Sequence, residues 1–418
     1  MWQARKSLGV AAWAVALLFL LSPGCTTNQA SASGNSDEKA EKEKEQAAGD
    51  SEAAESKHAS VSDETEPTES SEPSKSQESS GPSLVERAMD PSRPLPKKAR
   101  KVLSDIEFDP QPKNLTKDSH YWVSNEHFHH LFKSKVEDHG GIYMGVGTDQ
   151  NYMIAAWAKS PILLMMDFDG QIRNVHQIYG VVFDHVDEPD QFVHKWKDED
   201  AEKIRGWLEE AYGDDEERLE ALKETLKIAR PHIYYRLRKT AERYEEREIP
   251  CFLTDESQYD FIKGLWERNR VFAIRGDLTG DTAMMEIATA LESLGLELGL
   301  LYLSNTEQYF EFTPTYRRNV VVQPFSKDSL VLRTRPMQGL GYPEGGEYHY
   351  NIQKGRNFAN WMRYNHVTKS KHLLGWYKQD DRDVDGLSYI KTDAPISDDA
   401  PEIAGVGEYD LDIGREEK

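Results

Sequence analysis

Residues 140–169, GGIYMGVGTDQNYMIAAWAKSPILLMMDFD, set two short apolar runs around a segment of helical character. The second run, ILLMMDFD, shows no polar alternation before its acidic end. A strand with one face in water alternates apolar and polar residues, whereas an unbroken run must be covered on both faces. Sheets covered on both faces are built from strands alternating with helices. The chain is therefore expected to be an α/β protein, with a doubly wound and mostly parallel sheet.

The pattern repeats downstream. QIRNVHQIYGVVF returns to helical spacing, RVFAIRGDL reads as a third strand, and TAMMEIATALESLG as a helix stopped by Gly295. LELGLLYLSN reads as a fourth strand and TEQYFEF as a short helix. NVVVQPF, SLVLRTRP and EYHYNIQ read as strands, the last two an antiparallel pair. Residues 122–140 predict a helix capped by Ser124 or Asn125 and ended by Gly140 or Gly141. Between strands two and three, residues 198–249 are dense in Glu, Lys, Arg and Ala. Ile204, Leu208 and Tyr212, then Leu219, Leu222, Leu226 and Ile233, recur at helical spacing, which predicts a helical insertion.

The ends have a different character. Arg5 and Lys6 precede an apolar run at residues 8–21 and then SPGC, the order of a signal peptide spanning residues 1–25. It resembles a bacterial lipoprotein signal, which implies lipidation of Cys25, a bilayer anchor and a place in the cell envelope outside the cytoplasm. An uncleaved anchor or plain secretion are the alternatives. Residues 26–96 are polar and acidic and too poor in large apolar side chains to offset chain entropy, so they are expected to be a disordered linker. The folded domain is expected at residues 97–379 and an acidic tail at 380–418. The formal charge is −22 and no basic cluster is interleaved with aromatics, which excludes a nucleic-acid footprint. PKKARK at 96–101 reads as a solvated domain edge. Cys25 and Cys251 are the two cysteines, and Cys251 reads as a small buried hydrophobe.

The turn after the first strand has the makings of a ligand cradle. Gly145 and Gly147 let the backbone approach a ligand, and the following helix offers free N–H groups. Asp167 and Asp169 follow by about twenty residues, the spacing of an acid that accepts from ribose hydroxyls. Asp149 would repel a pyrophosphate and suits a ligand with an amino or sulfonium group. A tight turn with no ligand is the alternative.

GGIYMGVGTDQNY, LLMMDFD, FAIRGDLTGD and LLYLSNTEQYF, preceded by SNEHFHHLF, together resemble an uncharacterised bacterial lipoprotein family. That family is related in fold to class I S-adenosylmethionine-dependent methyltransferases, and the likeness spans residues 121–353. It implies a glycine cradle for the methionine moiety at Gly145 and Gly147, a ribose acid at Asp167 or Asp169, and an acid near adenine at Asp277. Ser304 and Asn305 would face the transfer site.

Other clusters supply further candidates. On a helix, Glu126 and His130 would share a face, as would His127 and His130, to line the pocket together with Asn125 or to hold zinc or iron. Ser304, Asn305, Glu307 and Tyr309 end the fourth strand, where open α/β sheets bind ligands, although Ser304 or Asn305 could serve as a helix cap. Asp381, Asp383, Asp385 and Gly386 match the first half of a calcium loop, with Thr392 where a bidentate glutamate belongs; a solvated acidic tail is the alternative. No serine–histidine–acid order or nucleophile elbow is present, so hydrolase chemistry has no support. The methyl donor is made in the cytosol. An exported chain is thus expected to keep this fold as a binding or scaffold module for a small molecule, S-adenosylmethionine or a related nucleoside being the first candidates. Methyl transfer, or protein interaction without a ligand, are the alternatives.

Overall fold

A computed structural model of the protein describes residues 81–376 and 384–394. Seven strands form one sheet: β1 Ile142–Val146, β2 Leu163–Asp167, β3 Val271–Arg275, β4 Leu298–Tyr302, β5 Phe325–Arg335, β6 His349–Lys354 and β7 Leu387–Ile390. Their order is β3-β2-β1-β4-β5-β6-β7. The first five are mutually parallel; β6 runs antiparallel to β5, and β7 runs parallel to β6.

Burial on both faces explains the unbroken apolar runs. Tyr143 and Met165 point into a core shared with the Asp149–Ala158, Gly170–His185 and Glu216–Glu246 helices. Met144, Leu164 and Met166 point into a second core, under the Lys97–Ser104, Ala283–Leu294 and Gly355–Met362 helices. Successive side chains thus serve opposite layers, the period-two geometry of a strand. The chain is a three-layer α/β protein with a Rossmann-like, mostly parallel sheet.

Between β2 and β3 lie the Ala201–Tyr212 helix and the 31-residue Glu216–Glu246 helix. Leu219, Leu222, Leu226, Ile233 and Leu237 bury one stripe of the long helix in the first core. Asp215 caps it, its carboxylate accepting from Arg218 N at 3.0 Å.

Three expectations need correction. The helix expected over residues 122–140 forms only as His130–Val136. Ahead of it the chain is tied to the sheet instead: Glu126 bonds β4 and β5 side chains, and Phe128 N donates to Tyr350 Oη at 2.8 Å. NVVVQPF is no strand. Thr313 caps a Pro314–Val321 helix, with proline in its first turn, and that signal overrides the valine run. The folded part also extends beyond the expected limits. Ser83 and Glu86 form a capping box on the Leu84–Met89 helix, and Ala88 and Leu95 are buried. The buried Arg270 guanidinium binds this segment by donating to the carbonyls of Ala88, Arg93 and Asp90. At the other end, β7 takes residues 387–390 of the expected tail into the sheet. Residues 1–80, with the signal segment and Cys25, lie outside the described residues, as do Asp381 and Asp383.

Candidate functional site

The sheet order reverses between β1 and β4. The chain leaves β1 for the helix on one face, and leaves β4 for helices on the other, so the two connections diverge and open a crevice. A cleft enclosing about 690 Å³ up to its mouth lies there. Its floor is Val146, Gly147 and Thr148 after β1, Asp167, Phe168 and Asp169 after β2, and Ser304, Asn305 and Thr306 after β4. The 119–125 segment and Tyr309 form its rim.

Gly147 makes the β1 turn at φ +93°, a conformation side chains disfavour, and an added Cβ would sit 2.4 Å from Gln150 Nε2. Its carbonyl accepts from His176 Nε2 at 2.8 Å, while Tyr152 Oη bonds His176 Nδ1 at 2.8 Å. Burial holds the His176 imidazole down at about 4, so it is neutral at physiological pH and donates to the turn.

Asp167 ends β2 half-buried at the cleft floor. Burial raises its carboxyl to about 7, against the opposing effect of the Asp169 backbone N–H that it accepts. Asp169 caps the Gly170–His185 helix by accepting from Gln171 N at 2.9 Å, and its other oxygen lies 2.6 Å from His120 Nδ1. Tyr309 and Tyr121 meet at the rim; burial, then that contact, lifts the Tyr309 hydroxyl to about 12.

Behind the floor lies Glu126, fully buried. Its oxygens accept from Ser304 Oγ at 2.9 Å and Ser124 Oγ at 3.3 Å, from Tyr302 and Thr334, and lie 3.1 Å from His129 Nε2. Burial alone would raise this carboxyl; the hydrogen bond and charge of His129, with Thr334 and Tyr302, outweigh it and hold it at about 2. Ser304 itself has φ +51°, strained for a serine, and is fixed from two sides. Its carbonyl accepts from Thr334 N at 2.9 Å while its hydroxyl is held by Glu126.

The expected site residues divide into two groups. Gly147, Asp167, Asp169, Ser304, Asn305, Asn125 and Tyr309 converge on the cleft. Gly145 does not: it is buried within β1, where a Cβ would strike Asn151 Oδ1, so its role is to admit that packing. Asp149 does not face a ligand either. The long insertion helix places Arg236 Nε 2.7 Å from its carboxylate, and Ser124 N donates to it at 3.1 Å. Asp277 turns into an adjoining cavity that shares Val146, Phe168 and Tyr309, and its carboxylate accepts from Thr279. Glu307 points inward and pairs with buried Arg333 at 2.8 Å. Residue 126 meets His129 rather than His130, because no helix joins them. His127 bonds Arg236 and Arg243 instead, and His130 donates its backbone N–H to Tyr244. Among the described residues no group of three or more His, Cys, Asp or Glu is placed to hold a metal ion. Asp385 lies in the turn before β7, and its expected partners Asp381 and Asp383 are outside the described residues.

The profile of a family described as "Domain of unknown function (DUF7790)" matches residues 121–391. The chain belongs to that family. The matched segment runs from the aromatic rim of the cleft to the end of β7, so it holds the whole sheet and most of the cleft wall. No curated protein matches the chain.

Sequence reasoning missed Ser124, Thr148, Thr306 and His120. The first was assigned to a helix cap, and no local pattern ties His120 to Asp169, 49 residues later. A signal for Thr148 and Thr306 was present: each follows directly on a strand-end turn whose other residues were singled out.

Proposed function

We propose that this protein is a membrane-anchored extracytoplasmic lipoprotein whose Rossmann-like domain binds a small molecule of the nucleoside class. The observation that carries the reading is the cleft at the β1/β4 switch point, with Gly147 at the turn and the Asp167 carboxylate ending β2. Such a crevice is where open α/β sheets bind ligands, and an acid at that place accepts from ribose hydroxyls. Phosphorylated ligands are disfavoured. The N-terminus of the Asp149–Ala158 helix, where a phosphate would sit, already carries the Asp149 carboxylate, and Gln150 folds back onto Thr148 N at 3.2 Å. The anchor rests on the LLSPGC segment and Cys25.

Methyl transfer from S-adenosylmethionine is the second reading. The β3-β2-β1-β4-β5 order and the positions of Gly147 and Asp167 favour it. The class I methyltransferase assignment loses the support expected from Gly145 and Asp149, since both are committed to packing.

Calorimetric titration of the full chain with adenosine and S-adenosylmethionine tests the binding reading. Saturable binding to wild type that disappears in Asp167→Ala is expected; heat from neither compound would refute it. For the anchor, Cys25→Ala should move the protein out of the membrane fraction or leave an uncleaved precursor. Unchanged membrane association, with processing at another residue, would reject lipidation.

A further inference from the structure

Four hydroxyls of the cleft wall share one orientation. Ser304 and Ser124 donate to Glu126, Thr148 Oγ1 donates to Asp149 at 3.2 Å, and Thr306 Oγ1 donates to the Leu303 carbonyl at 2.7 Å. A hydroxyl has one proton and two lone pairs. With the proton spent inward, each of these four groups offers a ligand only lone pairs. The fixed charges agree with the hydroxyls. Asp169 lies on the same wall, Asp167 joins it as a carboxylate above neutral pH, and no lysine or arginine is among its described residues. Arg236 neutralises Asp149 from behind, and His120 covers one oxygen of Asp169. Glu126 has hydroxyls and the His129 imidazole for direct partners, and the charges of His129 and, from further away, Arg236 offset part of its own.

We infer that the cleft selects a ligand presenting a protonated amine, and that buried Glu126 sets this preference by aligning Ser304 and Ser124. The inference rests on the reading of the cleft as a ligand site and specifies which ligand it takes. An ammonium group brings three donors and a positive charge to a surface that offers acceptors and negative charge. A phosphate or carboxylate set against these four hydroxyls meets lone pairs and receives no donor from them, at the cost of a desolvated anion. A neutral alcohol donates its one proton to one lone pair and gains nothing from the field. Glu126 never touches the ligand and acts as a positioning residue. The strained φ of Ser304, fixed from two sides, keeps its hydroxyl where Glu126 can orient it.

The test uses two matched series on the full chain, read by calorimetry. In the first, 5′-amino-5′-deoxyadenosine, adenosine and adenosine 5′-monophosphate share a nucleoside and differ in one group. In the second, putrescine, 1,4-butanediol and succinate share a four-carbon chain. The amine should bind at least roughly tenfold tighter than the alcohol, and the anion weakest, in whichever series binds. Binding of putrescine over its analogues with silence from all three adenosines would sink the nucleoside reading and leave the amine preference standing. Equal affinities, or tightest binding of the phosphate or succinate, would overturn the preference and leave a ligand site. No heat in either series would overturn both.

Two variants assign the cause. In Glu126→Gln one oxygen becomes a donor, so at least one serine must turn its hydroxyl outward, and the ratio of amine to alcohol affinity should fall at least roughly fivefold. Ser304→Ala keeps the bonds of Glu126 to Tyr302, Thr334 and His129 and removes one acceptor. It should weaken the amine more than the alcohol, with melting temperature and far-UV spectrum unchanged. An unaltered ratio in Ser304→Ala would overturn the role given to Ser304 and Glu126 even where Glu126→Gln fails to fold.

Discussion

Asp167→Asn should stabilise the protein by an amount that grows as pH rises from 4 to 7. Burial raises the Asp167 carboxyl from its ordinary 3.8 to about 7. Well below pH 3.8 the group is protonated both folded and unfolded, and its burial costs nothing extra. As pH rises from 4 to 7 the unfolded chain sheds the proton first. The native state then binds more protons than the unfolded one, so stability falls through that window and levels off above 7. At about 1.4 kcal/mol per tenfold change in proton affinity, the gap amounts to about 4 kcal/mol by pH 8. Asparagine keeps an oxygen for the Asp169 N–H, 3.0 Å away in wild type, and never ionises. Urea denaturation of the full-length pair at pH 4, 6 and 8 should show curves that lie closest at pH 4 and separate progressively, with the variant the more stable. A gain of equal size at pH 4, or a loss at pH 8, would refute the argument. Natural chains tolerate such a penalty where a site needs the charge, and the same variant should lose the ligand.

Other variants test other parts of the structure. Arg236→Met strands the Asp149 carboxylate in the interior and should cost about 3–5 kcal/mol in urea denaturation, most of it recovered in the Arg236→Met, Asp149→Asn double variant. Failure of the double variant to recover would show that Arg236 works through packing alone. Gly147→Ala forces a side chain into φ +93° against Gln150 and should cost roughly 1–2 kcal/mol while abolishing adenosine binding. Burial pushes the Cys251 thiol up to about 11, so iodoacetamide at pH 8 should label the Cys251 peptide only after denaturant is added. Labelling of the native protein would place that thiol at the surface.

The parallel sheet was legible because two covered faces leave an apolar run that no other element explains at that length, and ILLMMDFD is its clearest case. The cleft floor was legible for the same reason, since ends of such strands are where ligands sit; Gly147, Asp167 and Ser304 follow from that alone. What the sequence concealed was the use of each polar side chain. Asp149 looks like a ligand group from its place after the glycine turn. Its partner Arg236 stands 87 residues away on an inserted helix, and no local pattern announces such a pair. Glu126 and Glu307 likewise look like pocket residues and prove to be buried anchors for the loops that carry the pocket. The SNEHFHH segment has the composition of a helix start, and its tertiary bonds to Tyr302, Thr334 and Tyr350 override that propensity. Residues 81–96 look like linker because their order comes from Arg270, a side chain placed just ahead of β3.

Photolabelling the full chain with 8-azidoadenosine, with adenosine as competitor, measures the central claim directly. Modified peptides should come from the cleft wall, residues 116–125, 146–150, 167–169 and 304–309, and adenosine should suppress them together. Label that adenosine does not suppress, or that concentrates in the separate cavity between Phe128 and Tyr348, would contradict a ligand site at the β1/β4 switch point.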